Sequence, residues 1–252
     1  MAKSYGADIS VVYNTLKDLT NKDQQGFISP TEFSRFATIA QLNIFNGLFD
    51  ELKDAQRLSR GGYNPSRDKS RTKRILEDLA SFSVKKQLSK TTGSDFFSFS
   101  SADPAAKPMA RLISITTAGS ILLDQSTKRP IEICYDEEKL ERILVSNLSA
   151  PTEEFPVALI SDDIHVFPTS INKIEVRYYK YPEGRVSTTG ARTSNPPTYT
   201  EGGTSIDFEL PEHYTSKLVY EIAKLSGINL RDAEVVNYSS LESQSIKQAE
   251  KQ

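Results

Sequence analysis

Few residues in this chain of 252 could carry acid–base, nucleophilic or metal chemistry: 2 His, 1 Cys and a scatter of adjacent carboxylates. His165 and His213 are too few for most catalytic triads, and neither lies at a recognisable metal-ligand spacing. Asp162-Asp163-Ile164-His165 could gather around a metal, but an Asp-Asp hairpin turn entering an alternating strand explains it better. Cys134, within Ile-Glu-Ile-Cys-Tyr, reads as a small buried strand residue rather than a nucleophile, and alone it forms no internal disulfide. No phosphate-binding loop, nucleophile elbow or dinucleotide-binding glycine turn occurs. An enzyme is not expected, nor a cofactor or a metal site.

Charge carries more information. Between Arg60 and Lys90, nine Lys or Arg residues stand against Asp68, Glu77 and Asp78, a net +6 in a chain whose total is −2. The densest part, Arg67, Lys69, Arg71, Lys73 and Arg74, could track phosphates without reading base sequence. It could equally pair with an acidic protein surface, and the plainest reading is a solvated helix face. The strand Val176-Arg177-Tyr178-Tyr179-Lys180-Tyr181 could stack bases, although alternating aromatics are also what a half-buried strand uses for packing.

The elements that would position these residues follow from periodicity and turn chemistry. Ile9, Val12, Tyr13, Leu16 and Leu19 recur at helical spacing behind Asp8 as N-cap. Ser29-Pro30-Thr31-Glu32 is the clearest helix start, combining a capping hydroxyl, Pro at the first helical position and Glu at the third. The helix it opens carries Phe33, Phe36, Ile39, Phe45 and Phe49 on more than one face, so those five are candidates for packing between subunits. Residues near 67 to 90 read as a third helix.

From Thr91 the texture changes to short β-branched or aromatic runs: 96–99, 111–114, 121–123, 131–135, 157–160, 164–167 and 174–181. They describe an antiparallel β domain, with one helical insertion at Asp136 to Asn147. Residues 183 to 205 are almost without apolar side chains and are expected to reach outward. A last strand at 206–210 and a helix ended by Gly227 follow, then a polar tail.

The expected fold class is therefore α+β: an N-terminal helical bundle completed by a C-terminal helix, an antiparallel β domain between them, and an extended C-terminal tail. The expected limits are 1–90 for the helical region, 91–210 for the β domain with its 183–205 loop, 211–232 for the returning helix and 233–252 for the tail. With 37% hydrophobic and 25% charged residues, 12 Gly and 12 Pro, composition excludes collagen-like, disordered and disulfide-scaffold classes. No signal peptide and no apolar run of about 18 residues are present, so a cytoplasmic origin without a membrane is expected. The doubly apolar second helix, the long polar loop and the coreless tail suggest burial against other chains.

Certain phrases carry a resemblance. They are Val12 to Phe33 (Val-Tyr-Asn-Thr-Leu-Lys through Ile-Ser-Pro-Thr-Glu-Phe), Ala-Gln-Leu-Asn-Ile-Phe-Asn at 40–46, Ile-His-Val-Phe-Pro at 164–168, Ile-Glu-Val-Arg-Tyr-Tyr-Lys-Tyr-Pro at 174–182, Leu-Pro-Glu-His-Tyr at 210–214 and Gly-Ile-Asn-Leu-Arg-Asp at 227–232. With them most of the chain resembles the head–tail connector or neck ring proteins of short-tailed bacteriophages, most closely those of crAss-like phages.

The resemblance implies a virion protein assembled in the host cytoplasm, in a ring commonly of about twelve subunits beneath the portal. It implies portal protein and adjacent neck or tail rings as partners, with non-specific contact to genomic DNA. The basic face would then meet the DNA channel or an acidic ring partner. A nucleic-acid-binding accessory protein using the same basic segment is the alternative.

Overall fold

Two local signals set the first helices. In the computed structural model, which describes residues 6–22, 28–61, 65–90, 94–98, 109–118, 128–161, 163–186 and 195–229, helix α1 spans Ile9–Lys22. Asp8 caps it as expected, its Oδ1 accepting the Ser10 N–H at 2.7 Å. Helix α2, Pro30–Gly61, opens on a reciprocal capping box. Glu32 N–H donates to Ser29 Oγ at 3.3 Å, and Ser29 N–H donates back to the Glu32 carboxylate at 3.2 Å. The Ser29 hydroxyl, donating to the same carboxylate at 2.9 Å, and then the Ser29 N–H hold the Glu32 carboxyl below the usual carboxylate range.

Helix α3 is shorter than its sequence pattern suggests. It runs Pro65–Leu79 and gives way, through a 3-10 turn at Ala80–Phe82, to strand β1 at Ser83–Ser89, so the expectation of helix to residue 90 is corrected. The reason lies in tertiary pairing: β1 runs antiparallel to β7 (Lys173–Lys180) without a break, from Ser83 opposite Tyr179 to Ser89 opposite Lys173. Val84, Lys86 and Leu88 then fall on one face at a period of two.

Between them lie β2 (Phe96–Phe97), β3 (Met109–Thr117), β4 (Pro130–Cys134), helix α4 (Glu137–Val145), β5 (Val157–Ile160) and β6 (Ile164–Phe167). One seven-stranded sheet results, in the order β1-β7-β3-β4-β5-β6-β2. The sheet is mixed rather than wholly antiparallel, because β4 and β5 pair in parallel. Parallel neighbours need a crossover connection, and α4 supplies it. One face is cored by Leu88, Phe97, Ile115, Val166, Val176 and Tyr178. Leu140 of α4 packs with Cys134, Val157 and Leu159. Edge strand β1 carries Lys85 and Lys86, charges that discourage pairing with another chain.

On β7, paired between β1 and β3, Glu175 accepts from Lys128 Nζ and Lys85 Nζ, each at 2.8 Å. The hydrogen bond from Lys128, then that from Lys85, pulls its carboxyl below the ordinary 4.5. A depressed folded value means the stabilisation is complete above that ordinary value and is lost as pH falls through the folded one. Glu175→Gln should therefore lower the melting temperature at about pH 7, by roughly 1 kcal/mol of stability, with a difference that shrinks as pH falls below the ordinary carboxylate range. A difference that persists undiminished in acid would refute the ion-pair account.

Past β7, a two-stranded ribbon of β8 (Arg185–Val186) and β9 (Ile206–Asp207) precedes helix α5, Thr215–Asn229. Helix α5 packs against α1 and α2, and α3 packs against α2. Gly227, expected to end this last helix, lies inside it. The chain before α1 pairs with the segment after β9: Ala7 N–H donates to Leu210 O at 2.9 Å and Phe208 N–H to Ala7 O at 3.2 Å.

The protein is thus mixed α and β, with five α-helices and a seven-stranded sheet among the described residues. It divides into two compact units, the described parts of Met1–Ser81 with Pro182–Gln252, and Phe82–Tyr181. Residues 83–90 fall in the sheet unit and 182–210 in the helical unit, where limits at 90 and 210 were expected. The expected strand at 121–123 and tail at 233–252 lie outside the described residues.

Candidate functional site

The basic stretch is divided between the two units. Of its nine cations, Lys85, Lys86 and Lys90 belong to the sheet unit. Lys85 is held by Glu175, and Lys90 donates to Thr169 O at 2.7 Å with its ammonium 5.6 Å from the Phe97 ring centre. On α3, Lys69 and Lys73 point outward in line with Leu76, at helical positions i, i+4 and i+7. Arg74 is exposed on the adjoining side, whereas Arg71 is half-buried, so the expected five-residue face is broken. The Arg67 side chain lies outside the described residues.

The anchoring of α3 was missed by sequence reasoning, because its partners are far apart in the chain. Asp78, buried on its inner face, accepts from Tyr214 Oη at 2.8 Å and lies 3.3 Å from His213 Nε2. One turn on, Lys217 donates to Glu51 Oε1 at 3.1 Å and covers the Tyr214 ring at 5.7 Å. Glu51, Asp78, Tyr214 and Lys217 tie α2, α3 and the start of α5 together. The buried acid and its donors thereby fix which face of α3 turns outward. Each of these groups has a structural partner, which is how buried polar groups are normally satisfied.

Helix α2 also keeps most of its apolar residues for its own unit. Phe33 and Phe45 are wholly buried and Phe49 nearly so, which removes them from an intersubunit surface. Phe36 is half-buried and Ile39 is 46% exposed. The cover comes from elements the sequence did not associate with it. Tyr13 meets Phe33 edge-on at 5.0 Å and stacks on Tyr199 at 4.2 Å. Burial, with Tyr199 and Glu201 nearby, pushes the Tyr13 phenol up.

Tyr199 belongs to the segment expected to reach outward. Its described part turns inward instead: Tyr199 N–H donates to Ser34 Oγ at 3.2 Å, and Thr198 and Ile206 exchange backbone bonds at 3.0 and 2.8 Å. Gly203 N–H closes a turn on Thr200 O at 3.3 Å, with Gly202 at φ +70°. A carboxylate is buried there as well. Glu209 accepts from Glu183 N–H at 2.8 Å, while its own N–H donates to the buried Gln41 Oε1 at 3.1 Å.

The remaining singled-out residues have local roles. Asp163 sits in the β5–β6 hairpin, where Ser161 N–H donates to Asp163 O at 3.1 Å, and His165 lies against Phe96 at 5.9 Å. Among the described residues no group of three or more His, Cys, Asp or Glu could hold a metal ion. Cys134 is buried, its Sγ donating to Asp136 O at 3.2 Å. Tyr178 is in the sheet core, Tyr179 is half-buried and Tyr181 is 42% exposed, so the tyrosine strand does not present a stacking platform of three rings.

The most exposed large apolar side chains occupy a place the sequence did not single out. Val145 at the end of α4 and Leu148 and Phe155 in the connection from α4 to β5 are 84%, 97% and 76% exposed. This connection is built, not slack. Ser146 N–H caps α4 on Ile143 O at 3.3 Å, and Ser146 Oγ accepts from Leu148 N–H and Ser149 N–H at 3.3 and 3.2 Å. Thr152 and Phe155 exchange backbone bonds, and Ser170 Oγ fixes Glu153 at 2.8 Å. Apolar side chains held outward on a hydrogen-bonded frame lose little entropy on docking, which favours a protein partner.

The chain matches no protein-family model and no curated protein sequence. Among the described residues, no helix is long and apolar enough to cross a membrane.

Proposed function

We propose that this protein is a structural virion subunit, a head–tail connector that forms an oligomeric ring of about twelve copies beneath the portal and surrounds the DNA channel. The observation that carries the reading is the outward Val145, Leu148 and Phe155 on their hydrogen-bonded frame, since apolar groups presented in this way mark protein–protein contact. The helical unit, with N-terminal helices completed by α5, makes ring contacts, the sheet unit grips a neighbouring subunit or the next ring, and the C-terminal tail meets portal or an adjacent neck or tail ring. Genomic DNA is touched without sequence preference, and the site of action is the virion neck.

Light scattering and negative-stain microscopy of purified protein, alone and mixed with portal, test this. Rings that dock on portal are expected; a strict monomer that binds neither portal nor a neck protein would overturn it. A second reading, a nucleic-acid-binding accessory protein, rests on the outward Lys69, Lys73 and Arg74. A salt-dependent gel shift by a protein that stays monomeric would favour it.

A further inference from the structure

Two helices on different units carry matching surface patterns of opposite sign. On α3, Lys69, Lys73 and Leu76 occupy positions i, i+4 and i+7, all exposed, with Leu76 at 42%. On α4, Glu137, Glu141 and Leu144 occupy the same three positions, all exposed, with Leu144 at 37%. Aligned in parallel, the two helices place each carboxylate opposite an ammonium and leucine opposite leucine.

Local pairing does not use these charges up. Lys73 reaches Glu77 at 3.8 Å in a fully solvated pair, an arrangement that holds a cation only weakly. On α4 the nearest internal pair, Arg142 with Glu138, uses the other side of the helix. Exposed apolar residues follow the stripe in the chain: Val145 ends α4, and Leu148 and Phe155 lie in the connection after it. A salt-laced helix pair alone is a small contact, and these residues supply the desolvated area that a stable one needs.

We infer that the occupant of the α4 surface is α3 of a second copy of this chain, docked parallel so that Glu137, Glu141 and Leu144 meet Lys69, Lys73 and Leu76. The inference rests on the ring reading and names its contact. Because the two patches differ, the interface is head-to-tail: each copy offers α4 to one neighbour and α3 to the other, the arrangement that closes into rings or extends into filaments. It assigns the outward lysines to protein rather than to DNA.

The test uses the full chain and three samples besides the unaltered protein, compared by light scattering over a range of concentration and salt. These are Lys69→Glu/Lys73→Glu, Glu137→Lys/Glu141→Lys and an equimolar mixture of the two. Each variant alone should self-associate at least about tenfold more weakly, since like charges then face each other across the contact. The mixture should recover the assembly, because acidic α3 then meets basic α4 and basic α3 meets acidic α4 at alternate contacts. That recovery cannot come from a variant that fails to fold.

If the unaltered protein assembles and neither reversal weakens it, or if the mixture stays dissociated, the helix pairing is overturned while the ring reading stands. If the unaltered protein is monomeric at every concentration, the pairing falls, and the ring reading falls with it when the monomer also binds neither portal nor a neck protein. A Lys69→Glu/Lys73→Glu protein that assembles normally but no longer retards a labelled DNA duplex would overturn the pairing and give the stripe to DNA.

Discussion

Phe45→Ala should destabilise the helical unit by about 3–5 kcal/mol, read as a large drop in the urea midpoint of the isolated protein. The side chain is wholly buried and meets Phe49 edge-on at 5.0 Å with the rings perpendicular. Truncation removes the transfer energy of the ring and leaves a cavity in the middle of a 32-residue helix that α5 packs against. Ile39→Ala, on the same helix but 46% exposed, should change stability by no more than about 0.5 kcal/mol. The contrast separates core from contact surface. A Phe45→Ala protein of unaltered stability that fails to assemble would mean the ring belongs to a subunit interface after all.

Gly184→Ala should be the most damaging of the small substitutions. An added Cβ would stand 2.1 Å from Ile206 Cγ2 and 2.7 Å from Asn195 O. The second neighbour is backbone, and it is bonded: Gly184 N–H donates to Asn195 O at 2.9 Å. Relief therefore requires the chain itself to move and that hydrogen bond to lengthen, at a cost of about 3 kcal/mol or more. Gly202→Ala is the control. Its added Cβ meets nothing, and only the positive φ of 70° is penalised, at about 1–2 kcal/mol. Limited proteolysis between residues 187 and 200 should accelerate in Gly184→Ala and much less in Gly202→Ala; equal rates would contradict the clash.

What could be read from the sequence was local. The Ser29-Pro30-Glu32 start and the Asp8 cap depend on residues two or three apart, and each forms the bonds its pattern implies. Strands 157–160 and 164–167, bounded by their own hairpin turn, were placed to the residue. Pairing decided the rest. Val84 and Leu88 are four apart and fit a helix stripe as well as a strand face, and only β7 alongside settles the choice. The parallel β4–β5 match requires knowing where α4 lands. Asp78 read as one of three acids diluting a basic helix, while its partners His213 and Tyr214 lie far along the chain. Leu148 and Phe155 were invisible for a different reason: an exposed apolar residue has the same letter as a buried one.

The division of the chain also orders its birth. Phe82–Tyr181 is a continuous stretch, so every strand of the sheet has been synthesised once that stretch is complete. The helical unit is interrupted there, and α5 can join α1 and α2 only after the intervening hundred or so residues have been made. Closing so long a gap as unstructured coil is slow, whereas a sheet already folded between Ser81 and Pro182 shortens the search for the two halves. The apolar surface of α1 and α2 that α5 covers then stays open until α5 has been made.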